Sequence, residues 1–189
     1  MELVRCTARA AALVQANRLS AAQVLLRDAL KRQPLAGFDD VAVAQTQHEL
    51  GTTLRLTGAL DEALDVLTAA LDVRDRWDAS MGIGIALRDG NLTREEVAKV
   101  HEAKGDCATA LSVRQPGARV CGNEACKALD YRDETLQGCS RCKCVFYCCK
   151  PCQRQDWKTR HKGCCRAVEA DAGRASKDMS RLSVTDSRR

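Results

Sequence analysis

The chain has 189 residues, a formal charge of +5 and only 3% aromatic residues, and its length allows one domain or two small ones. No stretch approaches the roughly 20 apolar residues of a membrane-spanning helix, so we expect no membrane partner. The first residues lack an unbroken apolar signal core, although a transit peptide over residues 3–27 is an alternative. Ten of the 12 cysteines lie between positions 121 and 165, which favours metal ligation in a reducing compartment over disulfides. We therefore expect an intracellular protein of the cytoplasm, the nucleus or both.

Residues 1–118 are predicted to form one helix after another, because Ala and Leu dominate them and both favour helices. Apolar side chains fall on a single stripe in residues 20–32, and the same helical pattern recurs in 39–57 and 61–76. Gly58 separates the last two segments, as expected of a residue that ends helices. The fold class predicted for this part of the chain is therefore mostly α.

An internal repeat runs through this helical region. The segment NRLSAAQVLLRDAL aligns with GALDEALDVLTAAL, which puts Ala22 onto Ala63 at a period of 41 residues. A weaker third copy, KGDCATALSV, puts Ala110 at the same place 47 residues later, but it has Arg114 where an apolar residue is expected. Repeats of this length built from helix pairs indicate a solenoid of stacked hairpins.

These residues resemble the tetratricopeptide repeat over roughly residues 1–115. The middle copy carries the resemblance at Leu50-Gly51, Leu54, Gly58, Ala63, Leu67 and Ala70. The period above 40 is similar to that of the longer repeats of kinesin light chains. The resemblance implies helical hairpins that scaffold the chain or offer a concave binding surface. A plain helical bundle without a peptide groove is the alternative.

Two segments interrupt the helical pattern. Residues 77–92 contain three glycines and are predicted to form a loop or a short irregular helix. Asn91 or Thr93 is then expected to cap the next helix, with acidic residues in its first turn. Residues 167–189 are polar and rich in Ser and Arg, so we expect a disordered tail.

Eight potential metal ligands follow the helical region in closely spaced pairs. They are Cys121, Cys126, Cys139, Cys142, Cys148, Cys152, His161 and Cys165. Zinc takes four nitrogen or sulfur ligands at tetrahedral corners, so two sites need eight. Cys148 and Cys152 are four residues apart, as are His161 and Cys165, and such pairs share one face of a helix. Two structural zinc ions are therefore predicted to stand in for the hydrophobic core that so short a segment lacks.

The string YCCKPCQRQDW followed by HKGCC resembles the MYND zinc finger over roughly residues 119–166. That resemblance implies interleaved sites: Cys121, Cys126, Cys148 and Cys152 hold one zinc, and Cys139, Cys142, His161 and Cys165 hold the other. The spacer between Cys121 and Cys126 is longer than is common in the family. The resemblance also implies that Gln153 and Trp157 contact short proline-containing peptides. Packing of Trp157 over the zinc-binding turn is the alternative role for that side chain.

The predicted organisation is a helical-repeat region over 1–118, a two-zinc finger over 119–166 and a tail over 167–189. Because each predicted site has four protein ligands, no position is open for water or substrate. The chain also lacks familiar catalytic motifs, so we predict an adaptor that binds a protein or peptide partner and is not an enzyme. Neither the partner nor the oligomeric state follows from the sequence.

Two other functions stay open at this level. A basic strip around the finger favours a nucleic-acid-associated or chromatin-associated regulator; it consists of Lys143, Lys150, Arg154, Lys158, Arg160 and Lys162. Seven zinc-bound thiolates and two zinc ions would reduce the formal charge of +5 to about +2, which weakens that alternative. A ubiquitin ligase is the other alternative, because RING domains also interleave two zinc ions.

Overall fold

A computed structural model describes residues 2–81, 88–116, 118–126 and 135–167. The described chain is mostly α, with helices followed by a small cysteine-rich finger, which confirms the predicted fold class. Gly82 and Gly84 of the predicted loop lie outside the described residues, as does the predicted tail beyond residue 167. Within the described ranges, no helix combines the length and apolar character needed to cross a membrane.

In the part of the chain that the structure describes, six helices precede the finger, and each packs against the next. They are α1 (Glu2–Gln15), α2 (Leu19–Arg32), α3 (Asp40–Leu56), α4 (Leu60–Ser80), α5 (Arg88–Ala103) and α6 (Cys107–Arg114). A 3₁₀ turn, Pro34–Ala36, connects α2 to α3. Each helix contacts the next along the chain, and α1 and α5 also contact α3. The helices therefore form three hairpins, α1–α2, α3–α4 and α5–α6.

The three hairpins turn in the same way. Asn17, Gly58 and Gly105 have positive φ angles of 55°, 84° and 84°. Each lies just after the first helix of its hairpin, and its amide donates to a carbonyl of the last turn. A left-handed residue at this position satisfies helix-terminal carbonyls that would otherwise lack a donor. These turns recur at the periods of the sequence repeat, so each repeat unit corresponds to one hairpin.

Small residues lie where the helices of a hairpin cross. Ala22, Ala63 and Ala110 are fully buried, as the repeat predicted. In the middle hairpin, a Cβ built on Gly51 would lie only 2.4 Å from the Cγ of Leu67. Such close approach lets the leucine fill the space between the backbones. The hairpins fit the predicted helical region, whereas their membership of the tetratricopeptide family stays a prediction.

Helix α5 begins earlier than the sequence indicated. Its first residue is Arg88, so Asn91 and Thr93 lie inside the helix and the prediction that one of them caps it is wrong. Both side chains are buried, and the Thr93 hydroxyl accepts a hydrogen bond from the Arg74 guanidinium of α4. Because Thr93 has tertiary partners in Arg74 and His48, local capping preference does not decide where the helix starts.

The finger contains a short hairpin and a broken helix. Strand β1 (Gln137–Gly138) pairs antiparallel with β2 (Phe146–Tyr147), with Gln137 opposite Tyr147. Helix α7 (Lys150–Asp156) continues through a π-helical turn (Trp157–His161) into α8 (Lys162–Cys164). Pro151 lies in the first turn of α7, where its missing amide hydrogen is tolerated. The last turns of this helix pack against α5.

Candidate metal centre

The first ligand group, hereafter cluster one, joins the start of the finger to α7. Cys121 and Cys126 come from the segment after α6, while Cys148 follows β2 and Cys152 lies in α7. The sulfur of Cys148 lies 3.7 Å from that of Cys126 and 3.6 Å from that of Cys152. All four sulfurs are within 4.8 Å of one another, and all four residues are half-buried. The four sulfurs are therefore close enough together to bind a single metal ion.

The second ligand group, cluster two, is enclosed more completely. Cys139 and Cys142 lie on the turn between β1 and β2, and they meet His161 and Cys165 from the end of the finger helix. The sulfurs of Cys139 and Cys165 are 3.9 Å apart, and the Cys142 sulfur lies 3.4 Å from Nε2 of His161. The four ligand atoms are within 4.8 Å of one another, and all four residues are buried.

The donor atoms and their separations fit zinc. With Zn–S bonds of about 2.3 Å, the sulfurs of a tetrahedral site lie roughly 3.8 Å apart. The sulfur separations of 3.6, 3.7 and 3.9 Å in the two clusters agree with that edge length. No disulfide joins any of the 12 cysteines, all of which lie in described residues. The two clusters are thus able to hold two metal ions, and ligation by these eight residues stays a prediction.

The backbone of the turn between the strands fixes the first pair of cluster two. Lys143 adopts a φ of 58°, and its amide donates to the carbonyl of Cys139 at 2.9 Å. The amide of Cys139 donates in turn to Val145 at 2.8 Å. Such a closed turn holds the two cysteine sulfurs on one side of the chain.

A glycine brings cluster one against the same hairpin. The amide of Gly122 donates to the carbonyl of Phe146 at 2.8 Å. A Cβ on Gly122 would lie 2.5 Å from Cγ1 of the buried Val145, so any larger residue would push the two segments apart. Cys121, the neighbour of Gly122, is thereby held beside the end of β2.

Two more thiols surround cluster two. Cys107 of α6 and Cys144 of the finger are buried, and their sulfurs lie within 4.8 Å of each other and of Cys142. The pKa of the Cys142 thiol is lowered to about 3, chiefly because the Cys144 thiol donates a hydrogen bond to it and also because His161 lies beside it. Zinc binds thiolates, so this environment favours the form of Cys142 that a metal needs. Cys107 and Cys144 are not among the eight predicted ligands.

A buried charge network lies between cluster two and the third hairpin. Arg114 of α6 donates to both carboxylate oxygens of Glu95, at 2.6 and 2.8 Å, and also to Glu102. Its third partner is the carbonyl of Cys144, at 2.6 Å, within the finger. Arg114 is 3% exposed and Glu102 is fully buried. The residue that departs from the repeat pattern therefore connects the helices to the finger.

The finger contributes its own half of this network. Arg160 donates to Glu102 at 2.6 Å and to Asp156 at 2.8 Å. The buried Tyr147 hydroxyl donates to the same Asp156 carboxylate, at 2.8 Å. Burial alone would raise the pKa of the Glu102 carboxyl, but His161, Arg114 and Arg160 together outweigh it and hold the pKa well below its usual range. Glu102 is therefore ionised and paired from both regions.

A second, smaller charge network lies near cluster one. Arg55 of α3 donates to Glu96 at 2.8 Å and to Glu124 of the finger at 2.7 Å. Lys99 donates to the other oxygen of Glu96 at 2.7 Å. These residues line a cavity of about 350 Å³ between α3, α5 and the finger, and Cys121 also borders it. The finger thus contacts charged side chains of the helical region at both clusters.

The two predicted peptide-contact residues share one groove. Gln153 and Trp157 line a cavity of about 260 Å³ between the β1–β2 turn and α7, together with Cys139, Ser140, Arg141, Arg154 and Lys158. The Trp157 ring also meets the His161 ring edge-on, with centroids 5.7 Å apart. Trp157 is half-buried, so it packs against cluster two and still borders the groove. This position is compatible both with peptide contact and with packing over the zinc-binding turn.

Comparison with known proteins agrees with this geometry. Residues 119–165 match the family model of the MYND finger, a zinc-binding domain that mediates protein–protein interaction. The chain therefore contains a MYND finger preceded by helices. The matched segment is about a quarter of the chain, and it ends one residue before the boundary expected from the sequence. No solved structure matches the chain.

Curated relatives match short stretches of the chain. An F-box protein of Arabidopsis thaliana is 40% identical over 53 residues, which are 28% of this chain and 14% of that protein. Egl nine homolog 1 of Homo sapiens is 55% identical over 40 residues, which are 21% of this chain and 9% of that protein. The mouse protein of the same name is 57% identical over 37 residues, 20% of this chain and 9% of that protein. The similarity thus spans a small fraction of each relative.

Proposed function

We propose that the finger binds short proline-containing segments of partner proteins along the groove between the β1–β2 turn and α7. The observation that carries this proposal is the half-buried Trp157 beside Gln153 in a cavity of about 260 Å³. An indole offers a flat apolar surface to a proline ring, and an amide can hydrogen-bond the backbone of an extended peptide. Cluster two lies directly beneath the tryptophan, so metal binding would hold this surface in shape.

The charges around the groove favour an acidic partner. Its charged lining residues are Arg141, Arg154 and Lys158, which are exposed. Complementary charge raises the association rate and selects against basic sequences. We therefore expect the preferred segments to combine proline with a nearby Asp or Glu.

Isothermal titration of the zinc-loaded chain with synthetic peptides tests this proposal. The peptides are a proline-containing acidic one, its Pro→Ala version and its Glu→Lys version. Loss of a hot-spot tryptophan costs about 2 kcal/mol or more, so Trp157→Ala should weaken binding about 30-fold. Lys158→Glu should weaken binding of the acidic peptide and favour the lysine version. Trp77→Ala is the matched control, because Trp77 is half-exposed on α4, away from the groove.

The outcome is decisive only if the variants keep their metal, so zinc content is measured on each sample. Trp157→Ala protein that holds its zinc and binds the acidic peptide as tightly as the parent chain would exclude this groove. Equal affinity for the proline and alanine peptides would exclude proline recognition.

The wider role we propose is that of an intracellular adaptor without enzymatic activity, in which the helical hairpins of residues 1–118 support the finger of residues 119–166. Four protein ligands in each cluster leave no position for a reacting water, which supports a structural role for the metals. Reduced cysteines suit a reducing compartment.

Nucleic-acid binding is less well supported by the arrangement of the basic strip. Arg160, one of its members, is directed inward to Glu102 and Asp156 and its side chain is only 17% exposed. A salt titration against DNA separates this function from peptide binding, because phosphate contacts give an affinity that falls steeply with salt. An autoubiquitination assay with an E2 enzyme tests the RING-like alternative.

A further inference from the structure

His161 of cluster two has a distinct neighbour at each ring nitrogen. Its Nε2 lies 3.4 Å from the sulfur of Cys142, within the ligand group. Its Nδ1 is directed away from that group and lies 3.6 Å from Oε2 of Glu102. Both His161 and Glu102 are fully buried, so no bulk solvent competes for Nδ1. The ring is thus oriented with one nitrogen toward the metal position and the other toward a carboxylate.

We propose that Glu102 is a positioning residue for the second metal centre and that helix α5 thereby completes a site whose ligands all belong to the finger. Metal-binding histidines usually direct their second nitrogen to a carboxylate or carbonyl, which fixes the tautomer and the ring orientation. In this arrangement Nδ1 keeps its proton, which faces the Glu102 carboxylate 3.6 Å away, while Nε2 carries the lone pair for zinc.

The carboxylate is itself fixed from two sides. Arg114 of α6 donates to one oxygen and Arg160 of the finger donates to the other. Glu102 cannot rotate away from His161 without removing a partner from each of these buried guanidinium groups, which is strongly unfavourable. Its position is therefore set by the packing of the third hairpin against the finger.

Arg114 gives the same hairpin a second contact beside cluster two. It donates to the carbonyl of Cys144 at 2.6 Å, and the Cys144 sulfur lies within 4.8 Å of the Cys142 sulfur. The α5–α6 hairpin thus contacts the surroundings of two different ligands. Zinc binding to cluster two and the stability of α5–α6 should therefore increase each other.

A competing arrangement uses Nδ1 as the ligand. The Cys164 sulfur lies 3.8 Å from Nδ1 of His161 and 3.8 Å from Oε2 of Glu102. These three residues could hold a metal ion by themselves, and Glu102 would then be a ligand. Which ring nitrogen binds zinc decides between the two arrangements.

The first experiment compares Glu102→Gln with the full-length parent chain. Cobalt replaces zinc, because a site of three sulfurs and one nitrogen absorbs differently from a site of four sulfurs, and a chelator competes for the metal. Loss of an outer-shell partner costs about 10- to 100-fold in metal affinity, so we expect that loss at cluster two alone. Glu96→Gln is the matched control, since it removes a buried carboxylate from the same helix without contacting His161.

Nitrogen-15 spectra of the zinc-loaded histidine rings provide a readout that a purely structural role would not change. We expect a zinc-bound Nε2 and a slowly exchanging Nδ1 proton for His161, with that proton exchanging faster in Glu102→Gln. Unchanged metal affinity and unchanged proton exchange in a folded Glu102→Gln protein would overturn the proposal. A zinc-bound Nδ1 in the parent chain would overturn it as well.

If Glu102→Gln fails to fold, hydrogen exchange in two ligand variants that keep Glu102 gives the answer. Removing metal from cluster two with Cys165→Ser should reduce amide protection in α5 and α6 more than Cys126→Ser, which disrupts cluster one. Equal protection of α5–α6 in the two variants would contradict the proposed link.

Discussion

The first two hairpins and the third come from the same repeat but are stabilised differently. In the middle hairpin, Ala63 and Leu67 are fully buried and Gly51 admits the leucine between the helices. In the third hairpin, Ala110 keeps its place, yet Arg114 and Glu102 form a buried ion pair with each other, and Glu102 forms another with Arg160 of the finger. Apolar packing tolerates small changes in shape, whereas a buried ion pair needs each partner. The repeat thus supplies the helices, and departures from it specify where the finger attaches.

The largest effect is expected from loss of a cluster ligand. Cys148→Ser should release one metal ion and unfold the finger, because structural zinc contributes on the order of 10 kcal/mol to such small domains. Helices α1–α4 should stay protected in hydrogen exchange, since their core contains no metal ligand. The adjacent Cys149→Ser is the control, because Cys149 is exposed and lies outside both clusters. Equal metal loss in the two variants would contradict the ligand assignment.

Arg114→Met should rank second. It leaves the carboxylates of Glu95 and Glu102 short of a partner in the interior, which costs about 3–5 kcal/mol of unfolding free energy. Urea unfolding followed by circular dichroism measures the loss. Arg27→Met, at an ion pair whose side chains are more than 40% exposed, should cost about 1 kcal/mol or less. Similar losses of unfolding free energy in the two variants would mean that the buried network contributes no more stability than an exposed ion pair.

Ligand spacing within the finger could be predicted from sequence, because pairs of cysteines four residues apart meet on one helical turn. The hairpin repeat was also visible, since its small residues recur at fixed periods. The charge network was not predicted, because it joins residues far apart in the chain. Its sequence signal was Arg114 at an apolar repeat position, and a polar residue there implies a buried partner. The start of α5 was missed for the same reason, because its polar first turns have tertiary contacts.

Gly51→Ala tests the apolar packing of the middle hairpin. A methyl group there would lie 2.4 Å from the Cγ of Leu67, and overpacking of this kind costs about 1–3 kcal/mol. Leu67→Ala in the same chain should relieve part of that cost, which a double-mutant cycle measures. Gly163→Ala is the control, because nothing lies within 4 Å of its added Cβ. A fully additive cycle would indicate that the two residues do not interact.

The smallest effect concerns acid sensitivity of the helical core. Burial lowers the pKa of His48 to about 4, from an ordinary value of about 6.5. Above pH 6.5 the histidine is neutral in both states, and the folded state keeps its full stability. As the pH falls from 6.5 toward 4, the unfolded chain binds the proton more readily, so the free energy of unfolding decreases. Between pH 7 and 5 we expect a loss of about 1–2 kcal/mol in unfolding free energy.

His48→Gln isolates that contribution, because zinc release at acid pH occurs in both proteins and cancels from the comparison. The difference in unfolding free energy between pH 7 and 5 should be smaller in the variant than in the parent chain. An identical pH dependence would show that His48 does not titrate on unfolding.

Metal content of the natively purified chain is the most direct test of the central claim, that two enclosed metal ions hold the finger together. Elemental analysis combined with native mass spectrometry should give about two zinc ions per chain, and a chelator should lower the melting temperature of the finger. A folded finger without metal, or cysteines of the two clusters joined as disulfides, would contradict the account.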